Sequence, residues 1–279
     1  FHFKAISGYF RFGSIMMTAE NLWRLFGALP TLIIGKILNP TMVGYFNIAY
    51  TIASLPMDKI AMIITDIAYP AFSKVERVPE KLGYYLQKAL LPLSFFAFPV
   101  LFGIAAVAPE FVSIIFGSKW MPIIAPLQIL CIAMPFAMLS EITFHAMNGL
   151  GRPQIRLMSL IVLNIAMAIA LYFAAPYGVT AATFCWIAPF LPIILIFMGI
   201  SFRILQVKML DAAKLILLPM SVSAVMYGVI FILRPLTATQ LALPMQLILL
   251  IAVGVILYGG YSLLFARQTL LQIYQTFRQ

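Results

Sequence analysis

Apolar residues in this chain fall into runs of about 20, broken by short polar punctuation, rather than into the narrow stripe of a surface helix. The runs cover residues 14–38, 42–72, 89–108, 123–148, 157–175, 179–202, 215–233 and 243–265. Asn39, Pro40 and Thr41 form one tight turn, and Pro176, Tyr177 and Gly178 form another. GLGRPQIR, residues 149–156, reads as a compact basic turn carrying Arg152 and Arg156. Residues 109–122 are too short and too interrupted to cross a bilayer, and with Glu110, Lys119 and Trp120 at their edges they predict a helix lying in the interface. The pattern predicts an all-α polytopic membrane protein with about eight transmembrane helices and no convincing strand. Leu270, Tyr274 and Phe277 recur at helical spacing, so residues 267–279 predict a short amphipathic helix on the inner surface.

Composition agrees and narrows the choice. The chain is 63% hydrophobic and 9% charged, with mean hydropathy +1.05, too little polar surface for a soluble domain of this length. Its formal net charge of +10 does not point to nucleic acid. The basic residues of 1–13, 73–88, 149–156, 203–214 and 267–279 fall on one side of the predicted spans, whereas Lys36, Lys119 and Arg234 lie at or near the other. That asymmetry places both ends of the chain in the cytoplasm and favours an even number of spans. Cys131 and Cys185 fall within apolar runs and read as small hydrophobes. No spacing of His, Cys and carboxylates suggests a metal, no glycine-rich phosphate loop follows a strand, and no triad is visible, so neither cofactor nor enzymatic chemistry is expected.

Charges inside the spans carry the functional signal, because hydrocarbon tolerates them only toward a partner, a cavity or the boundary. Glu20 and Arg24 lie four residues apart in the first span and can neutralise each other, either as a lock between helices or as cavity charges. Asp58 and Lys59 follow Pro56 in the second span; adjacent helical residues point about 100° apart, so one of them meets another helix. Glu141 and His145, again four apart, form either a proton relay or a hydrogen-bonded pair near a helix end. Three spans thus place charge in the same half of the membrane, which predicts a polar vestibule. Prolines inside the spans act as static kinks or as hinges.

GYFNIAYTIASLP (44–56), YPAFSKVERVPEKLGYYLQKAL (69–90), FGSKWMPIIAPLQILCIAMPF (116–136) and GLGRPQIRL (149–157) resemble the second half of bacterial polysaccharide flippases, in the multidrug, oligosaccharidyl-lipid and polysaccharide exporter superfamily. Thr51 departs from the pattern at a position that is often basic in that family. The resemblance implies a six-helix C-terminal lobe over residues 1–202, two accessory helices over 203–266 and a cytoplasmic tail over 267–279, with an N-terminal lobe missing. It implies transport of undecaprenyl-pyrophosphate-linked oligosaccharide across the bacterial inner membrane by alternating access. On that reading Arg24 and Lys59 meet the headgroup, Glu20, Asp58, Glu141 and His145 tune them or carry protons, and the charge-poor last two spans offer the lipid tail an apolar groove. The expected partners are the lipid-linked substrate and membrane lipids. A cation-coupled multidrug exporter of the same superfamily is one alternative. A membrane polysaccharide polymerase or ligase is another, although such enzymes generally need a larger external loop than residues 109–122.

Overall fold

The computed structural model describes the backbone of residues 3–74, 78–238 and 241–265, and the side chains of residues 10–57, 78–238 and 241–263. Helices α1 (Phe3–Ile37), α2 (Pro40–Lys74), α3 (Pro79–Ile115), α4 (Ile124–Gly149) and α5 (Gln154–Ala174) are followed by a broken span. That span comprises α6 (Val179–Phe184), a π turn (Trp186–Phe190) and α7 (Leu191–Ile204), after which α8 (Met209–Ala238) and α9 (Leu243–Phe265) complete the described chain. No strand occurs among the described residues. Among the described residues six stretches, Pro79–Ile115, Ser118–Gly149, Gln154–Tyr177, Val179–Ile204, Met209–Ala238 and Leu243–Leu263, are long and apolar enough to cross a membrane. The molecule is an all-α, multi-pass membrane protein, with α1 and α2 as its more polar long helices.

Helix α3 sits at the centre. Leu82, Leu86, Leu90, Leu93, Ala97 and Leu101 recur every three or four residues and are fully buried, the stripe an amphipathic helix needs to pack against neighbours. α4 and α2 cover one flank of α3, α8 and α9 dock on another, and α1 pairs with α5. Outward-facing residues of α9 such as Ile248, Val255 and Ile256 are apolar and exposed, as a lipid-facing surface requires.

Proline explains how these helices are joined. A proline within a helix lacks the N–H that would bond the carbonyl four residues earlier, and leaves that carbonyl unpaired. Pro99 frees the Phe95 carbonyl, which accepts the Tyr258 hydroxyl at 2.8 Å. Pro109 frees that of Ala105, which accepts the Gln128 amide at 3.0 Å. Pro219 frees that of Leu215, which accepts the Ser94 hydroxyl at 2.8 Å. Each donor comes from a different helix, so three breaks in local bonding become cross-links between α3 and α9, α3 and α4, and α3 and α8.

The structure departs from the sequence-based expectation in several places. The third span does not stop near residue 108, and residues 109–122 hold no separate interfacial helix: α3 continues through Pro109 to Ile115. Gly117, at φ 81°, then ends it and leads into a short 3-10 turn, Ser118–Ile123. The basic loops are shorter than expected, because α1 begins at Phe3, α3 at Pro79 and α8 at Met209. Lys81 and Lys88 therefore ride on α3, where the Lys88 ammonium lies 4.8 Å from the Tyr84 ring centroid. Arg234 lies within α8 rather than in a loop. The expected tail helix at 267–279 lies outside the described residues.

Candidate functional site

Where α1 meets α5 and α4, the bundle turns polar. The α4–α5 connection is a Schellman turn: the Arg152 N–H reaches the Met147 carbonyl at 2.9 Å while Gly151 supplies the left-handed φ of 80° that this closure requires. The turn is so short that α5 starts at Gln154 and Arg156 belongs to its first helical turn. Arg156 is 5% exposed, which corrects its expected place in a solvated basic loop. A buried guanidinium requires counter-charge, and two carboxylates supply it. Nη2 of Arg156 donates to Glu141 Oε2 of α4 at 3.1 Å, and Glu20 Oε2 of α1 lies 3.7 Å away. Among the described residues, therefore, the ion partner of Glu20 is Arg156 and not Arg24. An already exposed i, i+4 pair gains little from closing, whereas burial of Arg156 draws Glu20 toward α5.

His145, one turn along α4 from Glu141, lies within the electrostatic reach of both Arg156 and Glu20. Asn148 continues the same face, and both polar atoms of its side-chain amide are buried without a partner, as is Nε of Arg156. Asn164 of α5 makes a second tie to α1, its Nδ2 donating to the Leu22 carbonyl at 3.1 Å, while its Oδ1 stays unpaired. The cluster thus gathers unused hydrogen-bonding capacity at the seam between three helices.

The outer face of α1 is unlike the lipid-facing helices. Glu20, Asn21, Arg24, Gly27 and Ala28 are exposed there, and the Thr31 hydroxyl bonds Asn47 of α2 at 2.9 Å. Asn47 and Thr51 extend the small and polar surface onto α2. Behind it an aromatic wall of Trp23, Phe26, Phe46, Tyr50, Trp186 and Phe190, with ring centroids 5.5–6.0 Å apart, fixes α1 and α2 to the π turn. Arg24 has no ion-pair or hydrogen-bond partner among the described residues. Asp58 and Lys59 lie on α2, but their side chains fall outside the described residues. Of the residues expected at the site, Glu20, Glu141 and His145 are brought together, and Arg24 lies on the exposed face beside them. Arg156, Asn148 and Asn164 were not anticipated as site residues. The only sequence signal for Arg156 is its position five residues after Gly151, the glycine that closes the turn.

A second feature lies across the bundle. Helices α3, α8 and α9 enclose a groove of about 500 Å³ lined by Pro99, Val107, Met226, Leu250, Gly254 and Tyr258, among others. At one end Glu110, buried in α3, accepts from Nε of Arg234 at 2.8 Å, and the same guanidinium bonds the Ala106 carbonyl. Gln246 of α9 completes this clasp by donating to the Arg234 carbonyl at 3.0 Å.

Comparison with known proteins follows this architecture. Residues 1–125 match the model of a family described as polysaccharide biosynthesis protein. The lipopolysaccharide biosynthesis protein WzxC of Escherichia coli K12 is 35% identical over 133 residues, 47% of this chain and 27% of that protein. The teichuronic acid biosynthesis protein TuaB of Bacillus subtilis is 29% identical over 134 residues, again 47% and 27%. The lipid II flippase MurJ, solved in an inward closed conformation, shares the fold, with a TM-score of 0.69 at 17% identity over 92% of this chain and 53% of the flippase. The matches thus span about a quarter of the curated relatives and the chain about half of the solved flippase. The expected resemblance to polysaccharide flippases and the expected helical membrane fold are both borne out.

Proposed function

We propose that this chain is the C-terminal lobe, with two accessory helices, of a flippase that moves lipid-linked oligosaccharide repeat units across the bacterial inner membrane for surface polysaccharide biosynthesis. The observation that carries the reading is the charged, incompletely bonded seam of Glu20, Glu141 and Arg156 opening onto the face of α1 that exposes Glu20, Asn21 and Arg24, in contrast to the apolar outer face of α9. A pyrophosphate-linked sugar needs cations and hydrogen-bond partners in a protected place, and its hydrocarbon tail needs neither. The α1–α2 face suits the first requirement, with Arg24 and Lys59 toward the headgroup and Glu20, Asp58, Glu141 and His145 tuning them or carrying protons. The groove between α3, α8 and α9 suits the second. In this reading an N-terminal lobe faces α1 and α2 across the cavity, and transport proceeds by alternating access of the two lobes, with both ends of this chain in the cytoplasm. The relatives' association with polysaccharide biosynthesis and the shared flippase fold support a transporter over an enzyme.

The test is restoration of surface polysaccharide in a strain whose own repeat-unit flippase is deleted, by the gene that encodes this chain. Restoration is expected, together with its loss in Arg24→Ala and Lys59→Ala variants. Full export in both variants would sink the headgroup assignment. Drug resistance without restored polysaccharide would favour the multidrug alternative, and polymerisation of repeat units by the purified protein would favour the enzyme.

A further inference from the structure

Arg156 has more hydrogen-bonding capacity than the protein satisfies. A guanidinium presents five N–H donors in a planar fork. Here Nη2 serves Glu141, while Nε is buried with no partner. Its two carboxylates are also unequal. Glu141 is hydrogen-bonded at 3.1 Å, with its side chain 19% exposed. Glu20 stands at 3.7 Å, beyond hydrogen-bonding range, with its side chain 49% exposed. Glu141 is the fixed ligand of Arg156, and Glu20 is a loose cover over it. The cover lies on the same exposed face of α1 as Arg24, one turn along.

We propose that Arg156 is an anion-binding residue for the phosphate-bearing headgroup of the substrate, and that Glu20 is the displaceable carboxylate that occupies its place between transport events. The proposal rests on the flippase reading and adds a residue and an exchange to it. With Glu20 in place, one guanidinium faces two carboxylates, and the local excess of negative charge repels a phosphate. When the Glu20 side chain swings outward onto its open face, Arg156 keeps Glu141 and presents the Nη2 edge that Glu20 vacates to the incoming anion, which a guanidinium binds well. Arg24 then supplies a second cation from the same face. The exchange is also felt by α1 as a whole, because Asn164 ties α5 to the Leu22 carbonyl two residues from Glu20. An anion in place of Glu20 removes one of the polar ties between α1 and α5 and frees α1 to shift against the α4–α5 pair.

The exchange is tested by titrating the purified full-length protein in detergent with farnesyl pyrophosphate, with farnesol and phosphatidylglycerol in parallel arms. The wild type is expected to bind farnesyl pyrophosphate more tightly than farnesol. Glu20→Gln is expected to tighten farnesyl pyrophosphate binding roughly tenfold, since it removes a competing charge without removing bulk. Arg156→Gln should weaken binding by about tenfold or more and abolish the gain from Glu20→Gln. Because Arg156 is buried, Arg156→Lys accompanies it: a residue needed only for packing gives no affinity change linked to Glu20, whereas a binding residue keeps part of the affinity with lysine. Glu20→Gln that leaves binding unchanged or weaker, in a protein that still prefers farnesyl pyrophosphate to farnesol, overturns the exchange and leaves the flippase reading standing. Indifference of the wild type between the two ligands overturns both. An equal gain for phosphatidylglycerol assigns Arg156 to bilayer phospholipid and overturns its role toward the substrate.

Discussion

Two arginine–carboxylate assemblies sit on opposite flanks of the bundle, and they are built differently. The Glu110–Arg234 clasp pairs one cation with one anion, buries Glu110 and most of Arg234, and adds the Ala106 carbonyl and Gln246. One oxygen of Glu110 lacks a partner, but the charges balance. The Glu20–Arg156–Glu141 assembly sets two anions against one cation, leaves one anion half in the open, and strands the Arg156 Nε. A balanced, covered pair holds two helices in one arrangement. An unbalanced and partly open one can exist in more than one arrangement at little cost, which transport needs.

The contrast breaks most sharply at Glu110. Glu110→Ala leaves Arg234 facing a buried site without its counter-charge, and should cost about 3–5 kcal/mol. The loss is expected as a large drop in thermal midpoint in detergent, with the α8–α9 hairpin becoming protease-sensitive before the rest. A drop no larger than that of an exposed substitution would remove the distinction between the assemblies. Glu141→Ala comes next, at about 3 kcal/mol, because Arg156 then retains only the distant Glu20; the same unfolding measurement checks it. The proline cross-links give a finer test. Tyr258→Phe should cost about 1 kcal/mol by stranding the Phe95 carbonyl. In a Pro99→Ala background, where the restored N–H can bond that carbonyl, the cost should vanish, and a double-mutant cycle reads the difference. Smallest of all is Glu20→Gln, expected to shift stability by less than about 0.5 kcal/mol while changing repeat-unit export measurably. A large stability loss there would make Glu20 a lock rather than a cover.

Length and composition were enough to read the helices, because a run of about 20 apolar residues between turn signals has few other outcomes. The convergence of charge from separate spans was legible too, since Glu20 and Glu141 both sit where hydrocarbon would otherwise surround them. Arg156 was hidden by its neighbours. GLGRP reads as loop, and nothing local reveals that Gly151 closes the turn early enough to put residue 156 on a buried helix. The extent of α3 was hidden for a different reason: Pro109 ends a helix by every local rule, and the donor that relieves it, Gln128, comes from the next helix. The Glu110–Arg234 pair spans 124 residues of sequence, and no periodicity encodes such a partner. Local signals set the elements, whereas bonds between elements set where they end and which charges are covered.

The length of α1 has one more consequence. At about 1.5 Å per residue its 35 residues extend roughly 52 Å, against about 30 Å of hydrocarbon. Burying all of it would require a tilt near 55°, beyond the range of about 0–40° that membrane helices adopt. Exposed Lys36 marks one waterline near the end of the helix, so the other falls about 20 residues earlier, close to residue 16. Glu20 then lies only about one turn below that surface, and the first part of α1 stands clear of the bilayer. The anion exchange proposed at Arg156 then takes place in the shallows beside α1, within reach of water without any pore through the membrane.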